Sequence, residues 1–176
     1  MDWLDIREFL LDMLKYVVIV VVILFVIFYV ASITQVVGDS MNPTLKSGEV
    51  LVLNKWKYRL FPIERGDIVS LQYADTKYLI KRIIGLPGEK VEIKNNQLYI
   101  NDQKYSENYL PDDLSYDDFS MKALGYEVIP DDMYFVLGDN RENSLDSREI
   151  GLVPKNKIDG KISVRIWPLH RIRIVS

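Results

Sequence analysis

Residues 16–38 carry no charged side chain, and the inner stretch YVVIVVVILFVIFYVASI is almost entirely apolar. A helix needs ~20 consecutive apolar residues to cross a bilayer, and in lipid it pairs every backbone N–H and C=O within the segment. The run therefore predicts a transmembrane helix over residues 16–35. It divides the chain into a short N-terminal segment at 1–15, an anchor at 16–35 and a domain at 36–176.

The alternative for this run is a cleavable secretory signal, which has a basic start and a shorter apolar core of ~7–15 residues. Here residues 1–15 are acidic on balance, and the apolar run is longer than such a core. An uncleaved anchor is therefore the better interpretation. The segment 1–15 either lies along the membrane interface as an amphipathic helix or extends the spanning helix. The flanking lysines and arginines do not decide the orientation.

The composition of the chain excludes several classes of site. The sequence has 176 residues, a formal net charge of −3, no cysteine and one histidine, His170. The absence of a basic block argues against a nucleic-acid binder. The absence of cysteine excludes disulfides, thiolate metal sites and a cysteine nucleophile. A zinc site with two histidines is impossible, and a Ser-His-Asp triad would have to use His170.

Most of residues 36–176 consists of short apolar-alternating runs bounded by Gly, Pro, Asn and Asp. Val, Ile, Tyr and Phe at period two predict β-strands. VEIKNNQLYI predicts a hairpin that turns at Asn95 and Asn96, because asparagine tolerates the left-handed conformation of a tight turn. The domain is therefore predicted to be mainly β. The runs are EVLVLNK (49–55), GDIVSLQY (66–73), KYLIKRIIG (77–85), KVEIKNNQLYIND (90–102), MYFVLGD (133–139) and KISVRIWPL (161–169).

Residues 103–132 differ from these runs because they are rich in Asp, Ser, Tyr and Lys. The paired acids Asp112 and Asp113 raise the question of a calcium site, but a solvated surface excursion is the favoured interpretation. The segment GDNRENSLDSRE also fails as a calcium loop. Counted from Asp139, it lacks the glycine at the sixth position and the glutamate at the twelfth. We expect no metal.

The segment GDSMNPTL (38–45) places Ser40 on a loop directly after the apolar run. A serine hydroxyl is a weak nucleophile unless a base takes its proton. Because the chain has a single histidine, lysine is the other common base that could take the Ser40 proton. Gly38 gives the loop backbone freedom and Pro43 stiffens it. Such a loop presents both the Ser40 hydroxyl and its N–H, which is a possible oxyanion donor.

Lys81, within YLIKRIIG, is the best candidate for that base. A lysine accepts a proton near neutral pH only when burial lowers its pKa by desolvating the charged form. On a strand, Leu79 and Ile83 share the face of Lys81, while Arg82 points the other way. Alternation does not say which face is buried, so an exposed lysine stays an open alternative.

Four segments together resemble the conserved boxes of type I signal peptidases, or leader peptidases, of the single-anchor Gram-positive type. These are membrane-bound Ser/Lys endopeptidases that release exported proteins from their signal peptides. The four segments occur in the family's order and at suitable spacings, and the resemblance covers the anchor and nearly all of the β domain. They are GDSMNPTL (38–45), RGDIV (65–69), YLIKRIIGLPGE (78–89) and GDNRENSLDSREIG (138–151).

The resemblance implies a β domain of two antiparallel sheets after one N-terminal transmembrane helix. It implies that Ser40 is the nucleophile and Lys81 the general base. Ser144 matches a serine that orients the lysine amine, and Asp146 and Arg148 match an ion pair that braces the site. From the residues alone, these last three positions alternate and would share one strand face or lie on a polar loop.

The resemblance also bears on the oxyanion hole. Some members have a serine two residues before the nucleophile, and its hydroxyl adds to the hole. This chain has Gly38 at that position, which supplies no hydroxyl. The backbone N–H of Ser40 is therefore the oxyanion donor that the resemblance implies here.

By resemblance, the partners are the signal peptides of exported preproteins and the lipid bilayer, with no cofactor, metal or nucleic acid. Residues 1–15 are then cytoplasmic or interfacial, and residues 36–176 form an extracytoplasmic catalytic domain on a single-pass protein of the cell membrane.

Two other functions stay open. A self-cleaving domain of the SOS-repressor type has similar Ser/Lys chemistry but belongs with a DNA-binding region. A pilus-assembly relative is non-catalytic and typically lacks the serine or the lysine.

Overall fold

The computed structural model describes residues 3–25, 31–111, 114–115 and 117–175. Twelve strands and three α-helices occur in these ranges. The helices are α1 (Trp3–Phe25), α2 (Lys57–Leu60) and α3 (Ser147–Ile150), and 3₁₀ turns cover Met121–Leu124, Lys155–Lys157 and Leu169–Arg171. The strands are β1 (Ala31–Gln35), β2 (Val50–Asn54), β3 (Ile68–Ala74), β4 (Lys77–Gly85), β5 (Val91–Lys94), β6 (Gln97–Ile100), β7 (Gln103–Tyr105), β8 (Phe119–Ser120), β9 (Met133–Leu137), β10 (Val153–Pro154), β11 (Ile158–Trp167) and β12 (Arg173–Ile174).

Helix α1 is continuous from Trp3 to Phe25, so most of the segment predicted at 1–15 and the first half of the predicted anchor form one helix. Its apolar side chains are exposed, among them Val20 at 53% and Ile23 at 49%. No helix within the described ranges is sufficiently long and apolar to span a membrane. Residues 26–30 of the predicted anchor lie outside the described residues.

The end of the predicted anchor, residues 31–35, is a strand rather than a helix. β1 pairs with β2 without interruption, from Ala31 opposite Asn54 to Gln35 opposite Val50. Ile33 and Thr34 are β-branched and therefore suit a strand. The backbone pairing with β2 supplies hydrogen bonds that a helix would otherwise make within itself. The predicted anchor therefore extends too far toward the C-terminus, because residues 31–35 belong to β1.

The strands form two antiparallel sheets, which confirms the predicted fold class of the β domain. The larger sheet has eight strands in the order β1-β2-β11-β3-β4-β9-β10, with β12 added to β11. The smaller sheet has the order β7-β6-β5-β8. All six predicted apolar runs contain strands. The hairpin of β5 and β6 turns at Asn95 and Asn96, whose φ angles are +50° and +59°, as the sequence predicted.

Three clusters of buried apolar side chains hold the described part of the domain together. The first joins the smaller sheet to the ends of β4 and β9 and includes Val91, Ile93 and Phe135. The second lies under β2 and includes Met41 and Leu45 from the loop between β1 and β2. The third packs β3, β4 and β9 together. β4 therefore runs through the centre of the larger sheet with both faces covered over much of its length.

The predicted surface excursion at 103–132 is only partly a surface. It contains strands β7 and β8, and Met121 and Ile129 are buried in the first apolar cluster. These two apolar residues fix the segment to the smaller sheet, although acidic side chains such as Asp117 and Asp118 are exposed. Asp112 and Asp113 lie outside the described residues. In the ranges described above, no three carboxylate or histidine side chains come together as a metal site.

Candidate active site

The loop between β1 and β2 presents Ser40. Gly38 has a φ of +86°, a backbone conformation that glycine adopts without strain, and it turns the chain away from β1. The next turn is closed by hydrogen bonds from the Asn42 N–H to the Asp39 carbonyl, at 3.0 Å, and from the Leu45 N–H to the Met41 carbonyl, at 2.8 Å. Met41 and Leu45 are fully buried. Ser40 is therefore held half-buried on an anchored loop.

Lys81 lies in the middle of β4, and its side chain is buried with 1% of its surface exposed. It stands opposite Val69 of β3, which belongs to the same apolar cluster as Leu79 and Ile83. The Nζ atom donates a hydrogen bond to Oγ of Ser40 at 2.7 Å. The sequence did not decide whether the face of β4 that carries Lys81 is buried. The structure shows that this face is buried and that Lys81 bonds to Ser40 there.

Burial lowers the pKa of Lys81 from 10.5 to about 8, against the opposing effect of the nearby Asp146 and Asp139 carboxylates. With that pKa, about a tenth of the lysine is neutral at pH 7, whereas a lysine in water is neutral in only about one molecule in three thousand. A neutral amine accepts a proton from a hydroxyl that it contacts. The pair therefore has the properties of a nucleophile and its base.

A second loop, residues 138–146, lies against the Ser40 loop. The Asn140 N–H donates to the Ser40 carbonyl at 3.0 Å, and the Asn140 side-chain amide donates to the Asp39 carbonyl at 3.1 Å. Gly138 packs so closely that a Cβ on it would overlap the Ser40 carbonyl oxygen and the Ser144 side chain. The two loops are thus in direct backbone contact.

Asp146 fixes the far end of this second loop. Its carboxylate accepts from the Gly138 N–H at 3.0 Å and pairs with the Arg148 guanidinium at 2.8 and 2.9 Å. It is also the N-cap of α3 and accepts from the Arg148 N–H at 3.3 Å. An aspartate at an N-cap pairs a backbone donor that the first helical turn leaves free.

The arrangement of Ser144, Asp146 and Arg148 corrects the idea that they share one strand face. Ser144 lies in the loop, Asp146 caps α3 and Arg148 lies in its first turn. The Ser144 Oγ atom is buried and has no hydrogen-bond partner among the residues that the structure describes. The structure therefore brings all three residues to the Gly138 side of the Ser40 loop, by way of a helix cap.

Arg82 and Asp139 are site neighbours that the sequence did not single out. Alternation predicted that Arg82 lies on the opposite face of β4 from Lys81, and the structure shows that the Arg82 side chain is also buried. Its guanidinium pairs with both Asp139 oxygens, at 2.9 and 2.8 Å, and donates to the Gly66 carbonyl at 2.9 Å. The sequence gives only a weak signal for this pair. An arginine buried within an apolar strand needs a carboxylate partner, but the strand sequence does not identify which carboxylate that is.

Arg165 braces the other end of the Ser40 loop. It is buried, pairs with Glu49 at 2.8 Å and donates to the Thr44 carbonyl at 3.3 Å. Arg171 pairs with the second Glu49 oxygen at 2.6 Å. His170, the histidine that a triad would require, is exposed on the 3₁₀ turn Leu169–Arg171 and shares no hydrogen bond with Ser40 in the described structure.

A serine hydroxyl bonded to a buried lysine amine can perform hydrolysis through a covalent ester, and the comparisons with known proteins identify a family of hydrolases. Residues 10–167 match the family described as signal peptidase, peptidase S26. Signal peptidase IB of Staphylococcus aureus is 38% identical over 181 residues, which cover 95% of this chain and 94% of that protein. The probable signal peptidase I-2 of a Synechocystis species is 38% identical over 155 residues, covering 84% and 68%.

A solved structure agrees with these sequence relatives. The crystal structure of a signal peptidase I from Enterococcus faecalis aligns with a TM-score of 0.54 and 37% identity, over 57% of this chain and 97% of that chain. The chain therefore belongs to the signal peptidase family, peptidase S26, and is a hydrolase.

Gly138→Ala is expected to slow peptide hydrolysis about 100-fold while most of the protein stays folded. The added methyl group would lie 2.6 Å from the Ser144 Cβ and overlap the Ser40 carbonyl oxygen, so the two loops must separate. Overpacking of this kind costs ~1–3 kcal/mol of stability, whereas a displacement of ~1 Å at reacting groups can cost ~100-fold in rate. Thermal unfolding and the rate of cleavage of a peptide substrate measure the two effects.

Gly125→Ala is the matched control for this substitution. Gly125 has open space around it and a φ of +81°, so alanine there strains the backbone without touching the site. We expect that control to lose some stability and keep its cleavage rate. A Gly138→Ala protein that cleaves as fast as the Gly125→Ala protein would contradict the close contact of the two loops.

Proposed function

We propose that the chain is a membrane-anchored serine endopeptidase that removes N-terminal signal peptides from exported preproteins with a Ser40–Lys81 dyad. The observation that carries this proposal is the 2.7 Å hydrogen bond between Lys81 Nζ and Ser40 Oγ, made by a lysine that is buried in the larger sheet. The family match to signal peptidases supports the reaction class.

In the first step, Ser40 Oγ attacks the carbonyl carbon of the scissile peptide bond while its proton passes to the neutral amine of Lys81. The carbonyl oxygen becomes an oxyanion on a tetrahedral carbon. Among the described residues the Ser40 N–H has no hydrogen-bond partner, so it is available to donate to that oxyanion. Gly38 supplies no side-chain donor, which leaves the Ser40 N–H as the donor that we assign.

In the second step, the C–N bond breaks and the protonated Lys81 gives its proton to the departing amine, the new N-terminus of the mature protein. The signal peptide remains on Ser40 as an ester. Water then attacks the ester carbon, with Lys81 again taking a proton. Collapse of this second intermediate releases the signal-peptide carboxylate and restores the Ser40 hydroxyl.

Ser144, Asp146 and Arg148 act in this scheme as support for the dyad. To Ser144, whose buried Oγ lies next to Gly138 and has no hydrogen-bond partner among the described residues, we assign the role of orienting the Lys81 amine as it exchanges protons. Asp146 and Arg148 hold the Gly138 end of the loop through the helix cap. No metal or cofactor takes part in the steps.

The proposed anchor is the apolar run at 16–30, with the domain from residue 31 outside the cell membrane. The support is the exposure of the apolar side chains of α1, such as Val20 and Ile23, together with the further apolar residues at 26–30 of the sequence. Because β1 begins at Ala31 and the Ser40 loop follows it, the dyad would lie close to the membrane surface, where signal peptides emerge.

Ser40→Ala and Lys81→Ala are each expected to lower cleavage of a preprotein by at least ~10⁴-fold, because the reaction loses its nucleophile or its base. Lys77→Ala is the matched control, since Lys77 is an exposed lysine on the same strand as Lys81. Gel analysis of a purified preprotein and sequencing of the new N-terminus provide the measurement. Cleavage by the Ser40→Ala protein at more than a small fraction of the normal rate would refute the dyad.

The cleavage rate is expected to rise with pH up to about 8 and then level off. Below the Lys81 pKa of about 8 the amine is protonated and cannot accept the serine proton, so the rate should fall about tenfold for each pH unit. A series of kcat/KM measurements on a signal-peptide substrate checks this. A rate that keeps rising to the ordinary lysine pKa near 10.5 would show that burial does not tune this lysine.

In intact cells, protease added from outside is expected to digest the domain at residues 36–176, because the proposal places that domain beyond the membrane. A cytoplasmic protein in the same cells should stay intact as the control for lysis. Protection of the domain until the cells are broken would show that the proposed orientation is wrong.

A further inference from the structure

The segment after β7 contains two side chains that point away from the surface. Glu107 is only 9% exposed at its side chain, and Tyr109 is partly buried beside it. The Tyr109 hydroxyl donates to the Glu107 carboxylate. Burial and the Glu107 charge raise the pKa of Tyr109, so its hydroxyl keeps its proton and remains a donor. Neither residue belongs to the four boxes in the sequence.

Glu107 holds Arg141 of the second site loop. Both terminal nitrogens of the guanidinium pair with the Glu107 carboxylate, and the Arg141 side chain is completely buried. The Nε–H of the same guanidinium donates to the Gly138 carbonyl at 2.9 Å, and Nη2 also donates to the Tyr109 hydroxyl at 3.4 Å. The Arg141 carbonyl accepts from Arg148 at 2.8 Å. Glu107 thus fixes an arginine whose other bonds hold the loop at Gly138 and Arg148.

Tyr109 holds Arg82. The centre of its ring lies 4.0 Å from the Arg82 guanidinium carbon, the geometry of a cation–π contact. The same guanidinium pairs with both oxygens of Asp139. The two contacts therefore reach the neighbouring residues Gly138 and Asp139 through two different buried arginines.

Gly138 and Asp139 are the residues whose position matters to the dyad. Gly138 packs against the Ser40 carbonyl and against Ser144. Asp139 is one of the two carboxylates that act on the Lys81 amine; Asp146 is the other, and they are neutralised by Arg82 and Arg148. A shift of residues 138 and 139 would therefore move the base and the nucleophile relative to each other.

We propose that Glu107 and Tyr109 are positioning residues for peptide hydrolysis, which act through Arg141 and Arg82 to hold residues 138 and 139 against Ser40 and Lys81. The inference rests on the proposed Ser40–Lys81 function. It gives the segment that follows the smaller sheet's edge strand β7 a part in the reaction, because that segment contacts the two arginines that hold residues 138 and 139.

A role in stability alone would have a different kinetic signature. If the two side chains only tied the segment to the domain, their loss would lower the folded fraction and scale the rate equally at every pH. A positioning role predicts a change at Lys81 itself. When Arg82 or Arg141 shifts, water reaches the amine and Asp139 is less well neutralised, and both effects raise the Lys81 pKa.

The test compares Glu107→Gln, Tyr109→Leu and Tyr109→Phe in the full-length protein, with kcat and KM for a signal-peptide substrate measured from pH 6 to pH 10. Glu107→Gln keeps the shape of the side chain and removes its charge. Tyr109→Leu removes the ring from Arg82, while Tyr109→Phe keeps it. Glu127→Gln is the matched control, because Glu127 is an exposed glutamate of the same 103–132 region.

We expect Glu107→Gln and Tyr109→Leu to lower kcat by roughly tenfold or more, with KM within about twofold, since misplaced reacting groups slow the chemical step. The midpoint of the acid limb should move to higher pH by about half a unit or more. Tyr109→Phe should lose less than Tyr109→Leu, and Glu127→Gln should match the unaltered protein.

Normal kcat and an unmoved acid limb in both Glu107→Gln and Tyr109→Leu would overturn the proposal. A uniform loss at every pH that matches the unfolded fraction in a thermal melt would overturn it as well. The Ser40→Ala protein, assayed in parallel, separates the two proposals. If it still cleaves, the dyad is wrong; if it does not and the Glu107 and Tyr109 variants behave normally, the positioning role alone is wrong.

Discussion

The burial of the Lys81 amine beside the Ser40 hydroxyl is the constraint around which the rest of the site is arranged. Lowering the lysine pKa from 10.5 to about 8 means that the folded protein disfavours the protonated amine by roughly 3 kcal/mol. Between these two pH values the unfolded chain binds more protons, so stability should rise with pH there, and the full penalty applies below about pH 8. The pairing of β4 with β3 on one side and β9 on the other has to offset this cost of burying the lysine amine.

Three buried arginines set the loops around this amine. Arg82, Arg141 and Arg165 are each almost completely buried, each pairs with a carboxylate, and each also donates to a backbone carbonyl. Removing one partner of such a pair typically costs ~3–5 kcal/mol because the other charge is left buried. Arg82 and Arg141 therefore connect the 138–146 loop to β4 and to Glu107, and Arg165 connects the Ser40 loop to β11.

Much of the fold was predictable because strands and tight turns leave local patterns. The six alternating runs and the turn at Asn95 and Asn96 needed only the side-chain period and the tolerance of asparagine for positive φ. The short edge strands were missed since they are two to five residues long and have no clear alternation. Residues 31–35 were misassigned because their apolar character fits a membrane helix and an edge strand equally well.

The sequence by itself determined the mainly β class, the shortage of alternative nucleophiles and bases, and the pairing of Ser40 with Lys81 as the candidate dyad. Only the tertiary structure decided which face of β4 is buried, since alternation assigns residues to faces but not faces to the interior. It also decided the roles of residues far apart in the chain: Ser40 meets Lys81 across 41 positions, and Glu107 meets Arg141 across 34. A local pattern carries no information about such contacts because they depend on how distant segments pack.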